Sequence, residues 1–192
     1  MPKQVTFNTE ETLDRLVPLF IEKGYNGTSM QDIVDASQLN RSSIYNSFGD
    51  KQALFLSVLE RYAGRQLRLK EEILKLDENA LIALKKFFLN LFLKPVNPCE
   101  VNGCLLTNCS LELGQSDKSV QELLLNSKEL MISNFEEVLN IGIQQGTVKK
   151  SLDTQVYALI LYNNLQGLRV INGGKTDEKS TQIIIKTLFE KI

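Results

Sequence analysis

Three thiols, Cys99, Cys104 and Cys109, fall within eleven residues of a chain that contains no histidine. Thiolates favour soft metals, and exposed low-pKa thiols oxidise, so the cluster invites a metal-binding or redox reading. Spacing works against a ready-made site. If Cys104 and Cys109 are both helical, they stand about 140° apart around the axis and about 7.5 Å along it, too skewed for an unstrained disulfide. Cys99 follows Pro98 and reaches Cys104 if that loop folds back, which leaves one bridge open. No lysine or arginine lies between Pro95 and Lys118 to favour a thiolate, and a buried cysteine commonly serves as a small apolar filler. The lack of histidine removes the usual general base, the Ser–His and Cys–His pairs and the commonest metal ligand. No Walker-type or paired-glycine phosphate loop is present either. The sequence thus points to no catalytic residue, no metal site and no cofactor, and leaves an enzyme only lysine or glutamate chemistry.

Two other groupings suit binding. Asn108 and Glu112, spaced i, i+4, share one helical face amid apolar neighbours. They would orient a polar group on a ligand or make an interhelical hydrogen bond, and both readings stay open. Lys51 sits where a helix is expected to begin, so its ammonium adds to the unpaired backbone N–H groups and helix dipole that favour a phosphate. Thr28 stands in the same relation to an earlier helix, although a simple cap also explains it.

The elements that must hold these groups are helical throughout, since apolar residues recur at helical spacing and no strand alternation appears. The expected fold class is all-α. A first helix over Thr9 to Lys23 carries Leu13, Leu16, Val17, Phe20 and Ile21 inward, with Asn8 and Glu11 as a capping box, a kink at Pro18 and a left-handed stop at Gly24. A second begins at Thr28, with Gln31 reaching back, and stops near Ser37. Asn40 caps a third, anchored by Ile44, Tyr45 and Phe48 and ended by Gly49; Asp50 caps a fourth from Lys51. Helices two and three, joined by about four residues, fit a helix-turn-helix, in which one short helix enters the major groove while its partner braces it.

The run LFIEKGYNGTSMQDIVDASQLNRSSIYNSFGDKQALFLSVLERY, Leu19 to Tyr62, resembles the N-terminal DNA-binding domain of the TetR/AcrR family of transcriptional regulators. Its landmarks occur in order: EKGY, the Thr28 cap, IYNSFGDK and KQALF. NGCLLTNCSLELG, Asn102 to Gly114, is similar to a segment of some members' ligand-binding domains. Ser42, where many members have glycine, and Pro18, where they have a helix former, depart from the pattern. The resemblance implies a homodimeric repressor in which residues 1–65 form a three-helix helix-turn-helix domain and residues 66–192 a helical ligand-binding and dimerisation domain. It implies that Arg41, Ser42 and Asn46 reach base edges in double-stranded operator DNA, Arg41 with bidentate geometry for guanine, and that Tyr45 contacts phosphate. Ser43 serves the same helix or turns to its own backbone. With Thr28 and Lys51 these are the expected DNA-binding residues.

The second half reads as amphipathic helices: Ala80 to Leu93, then a break at Pro98 and Gly103, then the helix of Asn108, then Ser119 to Gln145, Asp153 to about Ile171 and Thr176 to Ile192. Val156, Leu159, Ile160, Leu165 and Leu168 are expected to face inward. Phe88, Phe92, Leu105, Asn108, Glu112, Met131 and Phe135 are the candidate ligand-binding residues, although an apolar helical stripe is packing more often than a pocket. In the family the last two helices meet their dyad mates, so a two-fold homodimer would set two readers on a pseudo-palindromic operator. The effector is expected to be a small, largely apolar or aromatic molecule, with a thiol- or metal-responsive regulator as the alternative. A helical adaptor for a protein partner is a further alternative. Residues 1–51 carry five basic against seven acidic residues, within a chain of net charge -1, so non-specific DNA affinity is expected to be modest. Apolar runs far shorter than a membrane span, three unpaired thiols and no charged-then-apolar leader lead to the expectation of a cytoplasmic protein with no membrane association.

Overall fold

The computed structural model describes residues 7–94, 103–172, 177–190 and 192. Its regular elements are α1 Thr9–Gly27, α2 Met30–Ser37, α3 Arg41–Phe48, α4 Lys51–Gly64, a 3-10 turn at Arg65–Arg68, α5 Leu69–Leu74, α6 Ala80–Leu93, α7 Leu105–Glu112, α8 Lys118–Gln144, α9 Thr154–Ile171 and α10 Glu178–Glu190. The fold is all-helical. Pro98 and Cys99 lie outside the described residues.

Side-chain caps explain most of the boundaries. Asn8 Oδ1 accepts from the amides of Glu10 and Glu11 at 3.1 and 3.3 Å, while Glu11 turns to Arg15 at 3.7 Å and does not close a capping box. The break in α1 is at Gly24 (φ 69°, ψ 179°), and the dihedrals around Pro18 stay helical. Pro18 lies on the exposed side of the helix, where water can pair the carbonyl that loses its donor. α2 begins two residues later than expected, because Ser29 and not Thr28 is its cap. Ser29 Oγ accepts from the Asp32 amide at 3.1 Å and Asp32 Oδ2 accepts from the Ser29 amide at 2.8 Å, a reciprocal capping box. Gln31 donates instead to Asp35 at 2.9 Å. Gln38 closes α2 in the left-handed region (φ 60°, ψ 22°) and turns the chain toward α3. Asn40 and Asp50 cap α3 and α4 as expected, each accepting from a backbone amide, of Ser43 and Ala53, at 2.8 Å; Asp153, expected as the first residue of its helix, instead caps α9 by accepting from the Val156 amide at 3.0 Å.

Packing divides the chain into two compact units. The first comprises Met1–Gly64 and Cys104–Leu124, the second Arg65–Gly103 and Leu125–Ile192. Residues 104–124, which the sequence groups with the regulatory half, therefore pack with the helix-turn-helix. The core of the first unit joins Leu16, Phe20, Ile33, Ile44, Leu54 and Phe55 to Leu105, Cys109 and Val120. Tyr45 is not among its anchors; Ile44 alone of α3 is fully buried, and Phe48 packs at the edge.

The second unit is built on aromatic contacts. Phe88 is completely buried and its ring lies 5.9 Å from Phe135 and 5.6 Å from Phe189. Leu161, Leu165 and Leu168 of α9 enter that core, but Val156, Leu159 and Ile160, expected inside, are exposed. Among the described residues no helix is long and apolar enough to cross a membrane. Phe88→Ala should lower stability by about 3–5 kcal/mol, the usual cost of emptying a buried aromatic site. Urea unfolding followed by circular dichroism measures it, and an unchanged midpoint would contradict this core.

Candidate nucleic-acid interface

The α2–turn–α3 segment displays one polar face, and α3 shows how. Its inward position is Ile44, so residues on the opposite side of the helix face water. Arg41, Ser42, Tyr45 and Asn46 are all exposed, Tyr45 by 49%, and the spacings 41/45 and 42/46 stack them in two i, i+4 pairs on one face. Asn40 holds the start of that helix twice, accepting from the Ser43 amide at 2.8 Å and from the Ser42 hydroxyl at 2.7 Å. Ser43 is half-buried with its amide committed to the cap. Its contribution is therefore to the helix start.

Lys51 opens α4 two residues after Gly49 has ended α3 with a positive φ of 86°. Its Nζ lies 4.4 Å from the centroid of the Tyr25 ring, a cation–π contact that holds an otherwise mobile side chain. Burial, then Asp50 and Asp117, push the Tyr25 phenol above its ordinary range, so the ring keeps its neutral hydroxyl. Thr28 does not join this surface. It is only 1% exposed, and its hydroxyl donates to the Gly24 carbonyl at 2.6 Å.

Ion pairing sorts the remaining charges of this unit. Arg61 binds Asp14 at 3.0 Å and Glu10 at 2.9 Å, and Lys23 binds Asp32 at 2.5 Å. The Lys23 hydrogen bond, with those from Ser29, holds the Asp32 carboxyl well below the usual carboxylate range, and Asp32 in turn raises Lys23. Three acids are thereby matched to bases away from α3. Arg41 and Lys51 stand outside these pairs, as do Glu22, Asp35 and Asp50.

The candidate ligand-binding residues divide between the two units. Phe88, Phe92, Met131 and Phe135 belong to the core of the second unit, whereas Leu105, Asn108 and Glu112 belong to the first. Asn108 and Glu112 are already bonded to protein. Asn108 Nδ2 donates to the Ile21 carbonyl at 3.2 Å, and Glu112 accepts from the amides of Tyr25 and Asn26 at 2.8 and 2.6 Å. The interhelical alternative is the one observed.

Residues 13–58, which contain every element of this interface, match the profile described as bacterial regulatory proteins, tetR family. This segment is what the chain shares with that family. Its members are regulators and not enzymes. The HTH-type transcriptional repressor DhaR of Mycobacterium sp. (strain GP1) is 27% identical over 158 residues, which covers 82% of this chain and 78% of that one. Two solved structures resemble it throughout. A cysteine mutant of the tetR-family regulator CifR, complexed with 26-base-pair double-strand operator DNA, has a TM-score of 0.82 at 21% identity, covering 100% of this chain and 99% of that one. The regulator FadR of Bacillus subtilis, in complex with stearoyl-CoA, has a TM-score of 0.69 at 21% identity, covering 96% and 100%. At these identities the structures establish the shared fold.

The two described thiols, Cys104 and Cys109, are not placed as a reactive site. Cys104 and Cys109 are buried, and Cys104 is the cap residue of α7, outside the helix proper. Burial first, with Glu112 and Asp117 adding negative charge, pushes the Cys109 thiol up to about 12. Among the described residues no three His, Cys, Asp or Glu side chains converge as a metal ion requires. Cys109 should therefore resist iodoacetamide at pH 8 in the folded protein and react once the chain is unfolded, as peptide mass spectrometry would show; ready labelling of the native state would contradict it. Because the folded thiol holds its proton to higher pH than the unfolded one, the same group favours the folded state below about pH 9 and withdraws that support as pH rises toward 12.

Proposed function

We propose that this protein represses transcription by binding a pseudo-palindromic double-stranded DNA operator as a homodimer, and that a small, largely apolar or aromatic effector releases it. The observation that carries the reading is the doubly held start of α3, which displays Arg41, Ser42, Tyr45 and Asn46 on one face beside Lys51 at the head of α4. Arg41 offers the bidentate fork that suits guanine O6 and N7, Ser42 and Asn46 are adaptable partners for neighbouring bases, and Tyr45 and Lys51 take phosphates. Residues 1–65 carry DNA reading, with Cys104–Leu124 packed into the same unit, and the rest of 66–192 carries effector binding and dimerisation. A cytoplasmic location follows from the role.

The effector is proposed to enter the aromatic interior of the second unit, against Phe88, Phe92, Met131 and Phe135. The likeness to an acyl-CoA-bound regulator supports an apolar ligand, and the elevated Cys109 thiol, in the first unit, gives no support to a thiol trigger. Dimerisation is supported by α9, which has a second apolar stripe. Val156, Leu159, Ile160, Val170 and Ile171 are 40–62% exposed along it. Gly167 lies exposed between them, and a Cβ there would meet nothing within 4 Å. A glycine inside a helix costs about 1 kcal/mol relative to alanine. Nothing in the protomer calls for it, whereas close approach of a second α9 would.

Selection of bound sites from random DNA should return a two-fold sequence. On it, Arg41→Ala is expected to cost about 1–3 kcal/mol and relax one position in each half-site, while Lys51→Ala weakens all sequences alike and lowers the salt slope by about 1. Equal wild-type affinity for selected and scrambled DNA would refute the reading. For the dimer, Gly167→Leu should shift sedimentation toward monomer by at least about tenfold in Kd, since overpacking a close helix contact costs 1–3 kcal/mol, with helix content unchanged. An undiminished dimer would place the interface elsewhere.

A further inference from the structure

We infer that Glu112, together with Asn108, is a positioning residue for DNA binding, which splices the broken end of α1 and through Tyr25 stations Lys51 for a phosphate. The inference rests on the DNA-binding reading above. In an uninterrupted helix the Tyr25 amide would donate to the Ile21 carbonyl and the Asn26 amide to the Glu22 carbonyl. Gly24, at φ 69° and ψ 179°, interrupts that ladder. The Tyr25 and Asn26 amides donate instead to the two carboxylate oxygens of Glu112 at 2.8 and 2.6 Å, and the Ile21 carbonyl accepts from Asn108 Nδ2 at 3.2 Å. Asn108 and Glu112, one turn apart on α7, thus supply the missing donor and the missing acceptor of one broken helical turn.

Position 24 favours glycine for two reasons. Its φ is one that L side chains rarely adopt, and a Cβ would stand 2.7 Å from Glu112 Oε2. The carboxylate has taken the space of the absent side chain. A charged acceptor on two consecutive amides gives short, strong bonds, so the direction in which Tyr25 leaves the helix is fixed from α7 and not by α1 itself.

Tyr25 carries the constraint to the interface. Its ring centroid is 4.9 Å from that of Phe55 on the inner face of α4 and 4.4 Å from Lys51 Nζ at the head of the same helix. A second tie from the same segment holds the first turn of α4, where Gln52 Nε2 donates to Asp117 Oδ2 at 2.5 Å. A lysine held over a ring has already lost part of the freedom it would otherwise lose on meeting a phosphate. Loss of the Glu112 bond should free Tyr25 and, with it, Lys51.

The test measures operator affinity over a range of salt for wild type, Glu112→Gln, Lys51→Ala and the double variant, with thermal unfolding of each. Glutamine keeps one acceptor but turns an NH2 toward a backbone N–H, so only the splice is weakened. Glu112→Gln is expected to weaken binding about three- to tenfold on all sequences, the scale of a lost cation–π contact and a loosened phosphate contact. That loss should vanish in the Lys51→Ala background. Wild-type affinity in Glu112→Gln, or an equal loss with and without Lys51, overturns the inference, the second result meaning that Glu112 is structural only. Should Glu112→Gln fail to fold, Tyr25→Leu keeps the backbone clamp and removes the ring; it must show the same Lys51-dependent loss, and full affinity overturns the proposal. If the wild type itself cannot tell operator from scrambled DNA, the DNA-binding reading fails, which is a separate outcome.

Discussion

A broken turn of helix at Gly24 is the constraint on which the DNA-reading unit depends. Every backbone polar group released there has to find another partner, because leaving one buried and unpaired costs about 1–3 kcal/mol. Several of these partners come from the same packing unit. Glu112 takes the amides of Tyr25 and Asn26, Asn108 serves the Ile21 carbonyl, Thr28 gives its hydroxyl to the Gly24 carbonyl, and the Thr28 amide donates to Tyr25 at 3.3 Å. These bonds lie where α1 gives way to α2 and where Tyr25 meets α4. The turn that makes this compact reader is stabilised from a segment nearly ninety residues further along the chain.

Charge is arranged with the same economy. A unit with more acidic than basic residues looks ill-suited to DNA when its charges are only counted. Part of that charge is paired, Asp14 and Glu10 with Arg61 and Asp32 with Lys23, and Asp50 accepts from the first turn of α4. On the proposed reading, affinity comes from few phosphate contacts and selectivity from base edges. Such a balance keeps non-specific binding low and makes the position of each remaining cation matter.

Much of this was legible in the sequence where the physics is local. Asn40 and Asp50 could be read as caps because a cap is a short-range bond between a side chain and the next turn. Ile44 and the apolar rows of α1 and α4 could be read as core from periodicity alone. Thr28 and Ser29, adjacent hydroxyl residues, are not separable by pattern; which one caps α2 was decided by Asp32 as reciprocal partner and by the Gly24 carbonyl that claims Thr28. Pro18 announced a bend that the exposed side of α1 absorbs, while Gly24 made the true break. Val156, Leu159 and Ile160 have the spacing of a core stripe, and periodicity does not say whether the apolar face beyond it belongs to the same chain. Asn108 and Glu112 were visible as a polar pair on one face, but their partners are backbone groups far away in sequence, for which side-chain types leave no signal.

The most direct measurement of this account is site-resolved amide hydrogen exchange in the DNA-free protein at Tyr25 and Asn26. The account predicts that both amides, although next to a helix break and partly at the surface, exchange as slowly as helical amides in the interior of α4, because each donates to the Glu112 carboxylate. Exchange at the rate of exposed loop amides would mean that the splice is not formed in solution, and the account of how the reading unit is held together would be wrong.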